Sequence, residues 1–298
     1  MLFTGSYTAL LTPFKNGEVD YDAYRKLVDF QIDNGTHGLV PVGTTGESPT
    51  LSHDEHKKVI EVCIDQANGR VPIIAGAGSN STAEATEFVK HACDVGADGL
   101  LVVTPYYNKP TQAGLLAHYT ELANVSSKPI IIYDIPGRSV IGMTDETMAK
   151  LAEHELIVGV KDATADLGRP TRLLNVINEK FIQLSGEDGT ALPYLAAGGH
   201  GCISVTANIA PKLLSRMHNA WQQGDIKTAQ DINQKLMPLH DALFCETSPG
   251  PLKYAASLLN ICESETRLPI VEIASESKKR VEQGLSLIHI SEPTRPQC

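Results

Sequence analysis

Two kinds of segment alternate along the chain. Short runs rich in β-branched and other apolar residues recur at 6–11, 38–42, 71–75, 99–104, 129–135, 157–161, 181–185 and 202–206. Most are apolar at both odd and even positions, the pattern of parallel strands buried on two faces. Between them lie amphipathic stretches with helix signals. Asp20 stands before a helical run over 21–34, and Ser52 with Glu55 and Ser81 with Glu84 read as capping boxes. Gly35, Gly69 and Gly96 stand where helices should stop. A repeat of roughly 20–40 residues marks one supersecondary unit used again and again. Eight strand–helix units predict a closed (β/α)8 barrel of the α/β class. An open doubly wound sheet would need a glycine-rich phosphate turn after its first strand, and Thr12-Pro13-Phe14 is not one.

After the eighth run the pattern is helical only, over 211–223, 226–244, 251–259 and 273–283. The first of these is the last barrel helix and the others form a C-terminal helical extension. The expected organisation is a catalytic barrel over 1–224, the extension over 225–283, and a non-native or disordered tail over 284–298 that carries neither helical periodicity nor a partner. A length of 298 residues suits a barrel, which needs about 250.

Composition narrows the partners. A formal net charge of −10 offers no basic face for nucleic acid. No stretch approaches the ~18 apolar residues of a membrane span, and the first 17 residues lack the pattern of a secretory signal. Six cysteines lie scattered without metal-type spacing, so the reading is a protein of the reducing cytoplasm with no metal and no cofactor. Histidines 53, 56, 91, 118, 154, 200, 218 and 240 mostly fall in helical stretches. That weighs against a metal-dependent barrel aldolase, which needs a His/carboxylate cluster at strand ends.

In such barrels the chemistry sits at the carboxyl ends of the strands. Lys161 ends the sixth run and Tyr133 the fifth. An amine and a phenol at neighbouring strand ends are the groups required for imine chemistry on a keto acid. A lysine with a pKa near 10.4 is only about 0.04% neutral at pH 7, so this role needs an amine buried among apolar strands. A strand-end lysine alone more often lifts its charge into water. After the second run comes Gly43-Thr44-Thr45-Gly46-Glu47-Ser48, whose backbone and hydroxyls suit a carboxylate, although a G-x-x-G turn alone is usually structural. Tyr106-Tyr107 follows the fourth run, where adjacent tyrosines are more often packing or interface residues. Arg138 offers a planar fork that matches a carboxylate bidentately.

Taken together, Gly43 to Ser48, Tyr106-Tyr107, Tyr133 with Pro136 and Arg138, Lys161-Asp162-Ala163-Thr164 and Gly186-Glu187-Asp188 occur in order at successive strand ends. With this set the chain, over 1–283, resembles the dihydrodipicolinate synthase family of pyruvate-dependent class I aldolases. The resemblance implies that Lys161 forms an imine with pyruvate and that the derived enamine attacks aspartate 4-semialdehyde, giving 4-hydroxy-tetrahydrodipicolinate on the route to lysine and diaminopimelate. It implies Tyr133 as acid and base, linked to Thr44 and to Tyr107 of a neighbouring copy. Thr45 would bind the pyruvate carboxylate, Arg138 that of the semialdehyde, and Gly186 and Ile203 would line the pocket. It further implies a homo-oligomer, a dimer of dimers, and feedback by L-lysine at Ser48, His53, His56, Asn80, Glu84 and Tyr106. The rival within the family is an N-acetylneuraminate lyase or keto-deoxy sugar acid aldolase. Asp134 and Asp162 stand where many relatives carry asparagine and glutamate, a difference expected to tune the site without changing the reaction.

Overall fold

The computed structural model describes residues 3–288. Its eight parallel strands are β1 (Gly5–Ala9), β2 (Gly38–Val40), β3 (Ile74–Gly76), β4 (Gly99–Val103), β5 (Ile130–Asp134), β6 (Ile157–Asp162), β7 (Ile182–Ser185) and β8 (Gly201–Ser204). β1 pairs with both β2 and β8, and the ladder continues through β7, β6, β5 and β4 to β3. β2 and β3 complete the ring through the Leu39–Ile73 bridge and the Gly76 N–H donating to the Pro41 carbonyl at 3.0 Å. The barrel helices are α1 (Tyr21–Asp33), α2 (His53–Ala67), α3 (Thr82–Asp94), α4 (Gln112–Val125), α5 (Asp145–Leu151), α6 (Arg169–Leu174), α7 (Ala191–Ala196) and α8 (Pro211–Gln222). The two-residue strands Phe14–Lys15 and Glu18–Val19 form a small hairpin before α1.

The period of two along a strand divides the core into two layers. In β4, Leu101 and Val103 belong to the layer inside the barrel, while Leu100 and Val102 pack with the helices. In β5, Ile131 and Tyr133 face in, and Ile130 and Ile132 face out. Each fully buried Ile or Leu adds roughly 1.5–3 kcal/mol of burial, so a register slip would be costly everywhere at once. Gly38 shows how tight the interior is: a Cβ there would lie 2.0 Å from Cε1 of Tyr7, whose ring fills the barrel beside it. The helices face the outer layer with complementary stripes, as in α1, where Tyr24, Leu27, Val28 and Gln31 are buried at i, i+3, i+4 and i+7.

In the barrel, the helix ends signalled in the sequence are found with one exception. Ser52 and Glu55 form a complete capping box, and Gly35, Gly69 and Gly96 adopt φ values of 81°, 70° and 88°. At α3 the box is only half made. The Ser81 hydroxyl accepts the Glu84 N–H at 3.4 Å, but the Ser81 N–H goes to the Ser79 hydroxyl and the Glu84 carboxylate turns elsewhere. Serine at position 79 competes for the capping bond and releases that carboxylate.

The C-terminal extension consists of α9 (Ile226–Leu243), α10 (Gly250–Leu258) and α11 (Ser275–Leu287). α9 packs against α8 and α11. The end expected at Gln283 falls inside α11. Val281, Gly284, Leu285 and Ile288 are buried on one helical stripe, and Gly284 lies so close to α9 that a Cβ would sit 3.1 Å from that of Ala242. Residues 289–298, the rest of the expected tail, lie outside the described residues. No helix among the described residues is long and apolar enough to cross a membrane.

Candidate active site

β5 and β6 lie side by side with Tyr133 opposite Lys161 and Asp134 opposite Asp162. Paired residues of parallel strands point to the same face, so the phenol and amine both face into the barrel mouth. The Lys161 ammonium nitrogen lies 3.9 Å from the Tyr133 ring centroid. Both side chains are buried, at 6% and 5% exposure, which satisfies the requirement for an amine among apolar walls. They form the floor of a cavity of about 420 Å³ that Thr44, Thr45, Arg138, Gly186 and Glu187 also line. Gly186 is required beside the lysine strand, since a Cβ there would lie 2.8 Å from the Ala163 Cβ.

Several polar groups of this cavity lack protein partners. Among the described residues, neither the Thr44 and Thr45 hydroxyls nor the Tyr133 hydroxyl makes a hydrogen bond, and the exposed Arg138 guanidinium has no carboxylate within ion-pair distance. Thr45 is buried all the same. The implied Tyr133–Thr44 link is thus a shared wall and not a hydrogen bond. Burial pushes the Glu187 carboxyl up, helped by Asp188 and opposed by Lys161 and Arg138. The site therefore offers a lysine amino group, an adjacent phenol, two free hydroxyls and one free cation, a set suited to a small keto acid and a second anion.

Two implied residues stand apart. Ile203 is buried in the barrel interior, in the same apolar cluster as Tyr133, and does not reach the cavity wall. Tyr107 lies outside the cavity, 87% exposed at φ 73°, a left-handed conformation unusual for an aromatic residue. The sequence reading missed the contribution of the extension, for Phe244, Glu246, Thr247 and Ser248 close one side of the cavity. That stretch reads as an ordinary loop because its polar residues carry no motif.

Behind the Lys161–Tyr133 pair, Asp134 and Asp162 point away from the mouth to one buried guanidinium. Arg169 donates to Asp134 at 2.7 Å and to the Met143 carbonyl at 2.7 Å, and lies 3.7 Å from Asp162. All three are nearly solvent-free. Burial raises the Asp134 carboxyl while Arg169 counters it.

A second cavity, of about 350 Å³, is lined by Ser48, Pro49, Leu51, His53, His56, Gly78, Glu84, Phe88 and Tyr106. Five of the six residues expected at an effector site meet here. The sixth, Asn80, stands behind the wall and donates to the Tyr106 carbonyl at 3.1 Å. The Glu84 carboxylate released from capping bonds the Ser79 hydroxyl and, at 2.7 Å, His53, and these partners hold it below the usual carboxylate range, the serine most strongly. His56 stacks on Phe88 at 4.0 Å and donates from Nε2 to the Gly76 carbonyl, which leaves Nδ1 an acceptor. Burial lowers its pKa to about 4.

Fold and site define a (β/α)8 barrel with a buried lysine–tyrosine pair at the strand ends, the arrangement of a class I aldolase. The comparisons are more specific. The model of the dihydrodipicolinate synthetase family matches residues 2–288, and the chain belongs to that family. It is 57% identical over 283 residues to the 4-hydroxy-tetrahydrodipicolinate synthase of Bradyrhizobium diazoefficiens, covering 95% of this chain and 96% of that protein. Among solved structures it resembles the chloride-inhibited dihydrodipicolinate synthase of Acinetobacter baumannii complexed with pyruvate (44% identity, TM-score 0.94, 97% of this chain and 99% of that one). It also resembles the enzyme of Cyanidioschyzon merolae with lysine bound (38% identity, TM-score 0.93, 96% and 98%).

Proposed function

We propose that the protein condenses pyruvate with L-aspartate 4-semialdehyde to give 4-hydroxy-tetrahydrodipicolinate, the first committed step toward diaminopimelate and lysine. The observation that carries this reading is the buried Lys161 amine over Tyr133, at the floor of a cavity with free hydroxyls and a free arginine. Lys161 Nζ attacks C2 of pyruvate, the carbinolamine loses water, and the imine loses a C3 proton to become an enamine. C3 then attacks the aldehyde carbon. The amino group of the adduct attacks the imine carbon, which closes the six-membered ring and releases Lys161. Tyr133 carries protons through the dehydration, Thr45 holds the pyruvate carboxylate, and Arg138 holds that of the semialdehyde. Gly186 shapes the wall. The expected test follows pyruvate: it is consumed with aspartate 4-semialdehyde and is not released from N-acetylneuraminate. The reverse preference would move the chain to the sialic acid lyase branch.

Tyr107 supports a two-fold dimer, since a strained and exposed aromatic beside the site is matched to a neighbouring copy that would place it near Thr44 and Tyr133. Two such dimers make the proposed tetramer, in the reducing cytoplasm that the free cysteines among the described residues suit. The second cavity is the proposed L-lysine site. Glu84 offers a carboxylate to an ammonium group, and His56 Nδ1 with Ser48 offers further polar contacts. The lysine-bound relative adds to that reading. Initial rates in millimolar L-lysine should fall for the wild type and fall less for Glu84→Thr. Equal inhibition of both would remove the assignment.

A further inference from the structure

The segment from Gly43 to Leu51 is a wall between the two cavities. Thr44 and Thr45 face the first, and Ser48, Pro49 and Leu51 face the second. Glu47 lies between them in the left-handed region at φ 54°, where a long side chain is uncommon, and is only 2% exposed. Its Oε1 meets Lys253 Nζ at 2.6 Å, and its Oε2 accepts the backbone N–H of Arg267 at 3.0 Å. Lys253, on α10, has no solvent exposure, donates to the Glu265 carbonyl at 2.8 Å and sits 3.8 Å from the Phe14 ring centroid. Arg267 in turn grips Glu55 at 2.6 and 2.8 Å and donates to the Thr50 carbonyl at 2.8 Å. Every charge here belongs to the barrel loop, the start of α2 or the C-terminal extension.

Burying two charges is a poor way to fill space, because apolar residues of similar volume pack as well without desolvating ions. What the pair supplies is a fixed position for the loop in a conformation its backbone does not favour. The Thr44 and Thr45 side chains make no hydrogen bond among the described residues, so their placement depends on the backbone that carries them, which Thr12 and Thr50 also bond at the Gly46 and Glu47 carbonyls. We infer that Glu47 and Lys253 are positioning residues for Thr44 and Thr45, and that through them the C-terminal extension sets the grip on the first substrate's carboxylate. This rests on the reading of Thr45 as the contact for pyruvate.

The test is steady-state kinetics with thermal unfolding for Glu47→Asp and for the double variant Glu47→Gln/Lys253→Met. Aspartate keeps the charge and tolerates the left-handed backbone, but it is one methylene too short to reach both Lys253 and the Arg267 amide. The double variant removes both charges together, which leaves no orphaned ion. The expected result in each is a KM for pyruvate raised about 5–20-fold with kcat within about 3-fold of wild type, the signature of lost ground-state binding. A purely structural role would lower the melting temperature and leave KM alone. Glu47→Asp decides the matter if the double variant does not fold, and an unchanged pyruvate KM in a folded variant overturns the inference. Borohydride with pyruvate separates the underlying reading: Lys161 is expected to be labelled in wild type and variants alike. A wild type that does not label removes the site reading, and the inference with it.

Discussion

The two faces of the β5–β6 pair differ by one residue and do opposite work. Tyr133 and Lys161 turn into the barrel mouth, where phenol and amine meet each other and little else. Asp134 and Asp162, the next residues along, turn away and are tied to Arg169 in a solvent-free frame. On the outer face charge is neutralised within the protein, which holds the strand ends still. On the inner face the buried Thr45 and Tyr133 hydroxyls make no hydrogen bond among the described residues, although burying such groups is costly unless something pairs with them. A substrate that supplies carboxylates and a carbonyl makes good that deficit. The Glu47–Lys253 pair repeats the pattern one loop away, with saturated charges behind and free hydroxyls in front.

This contrast can be broken from either side. Substitutions on the inner face should cost activity and little stability. Lys161→Ala is expected to abolish turnover, and Tyr133→Phe to slow it about 10²–10⁴-fold, both with melting temperatures near wild type. Residual rates above those values would mean another amine or another proton carrier. On the outer face Arg169→Met should orphan two buried carboxylates and cost about 3–5 kcal/mol in denaturant unfolding, with Asp134→Asn in the same chain recovering part of it. A stable Arg169→Met enzyme would show that the frame holds nothing.

A smaller effect sharpens the same point, because some buried groups have no opposite charge beside them. Burial lowers His56 and His118 to about 4 and His218 to about 3. Their folded pKa values lie below the unfolded value near 6.5, so the unfolded chain takes up more protons as pH falls. Their contribution is complete above about pH 6.5 and is lost progressively toward pH 4. The melting temperature should drop on the order of 10 °C between pH 7.5 and 5. Glu55, held at about 2 chiefly by its hydrogen bonds to Arg267, contributes its own loss only below about pH 4.5. A flat profile from pH 7.5 to 5 would contradict the burial of neutral imidazoles.

What could be read from the chain follows the same division. The barrel was legible because buried parallel strands must be apolar throughout and helices must be striped, so periodicity alone reports them. Lys161 and Tyr133 stood out because they end apolar runs, while Thr44 and Thr45 drew notice only through the ordered motif set as a whole and the resemblance it carries. Arg169, Glu47 and Lys253 were not, since an ion pair between residues 35 or 206 positions apart leaves no local pattern; only the fold brings Lys253 to Glu47. The Ser81 box failed for a local reason, the rival hydroxyl of Ser79, and the Gln283 boundary failed because the tail shows no partner in the sequence, whereas in the fold Gly284 packs closely on α9 and Leu285 and Ile288 are buried. Tyr107 falls between these cases: its motif was visible, and its proposed role lies in a neighbouring copy.

The central claim is that Lys161 forms an imine with pyruvate. Incubation with pyruvate and borohydride, followed by mass analysis of the intact chain and its peptides, addresses it directly. The account predicts one reduced pyruvate per chain, on the peptide that contains Lys161, and none in Lys161→Ala. An unlabelled wild type, or a label that stays when Lys161 is replaced, would contradict it.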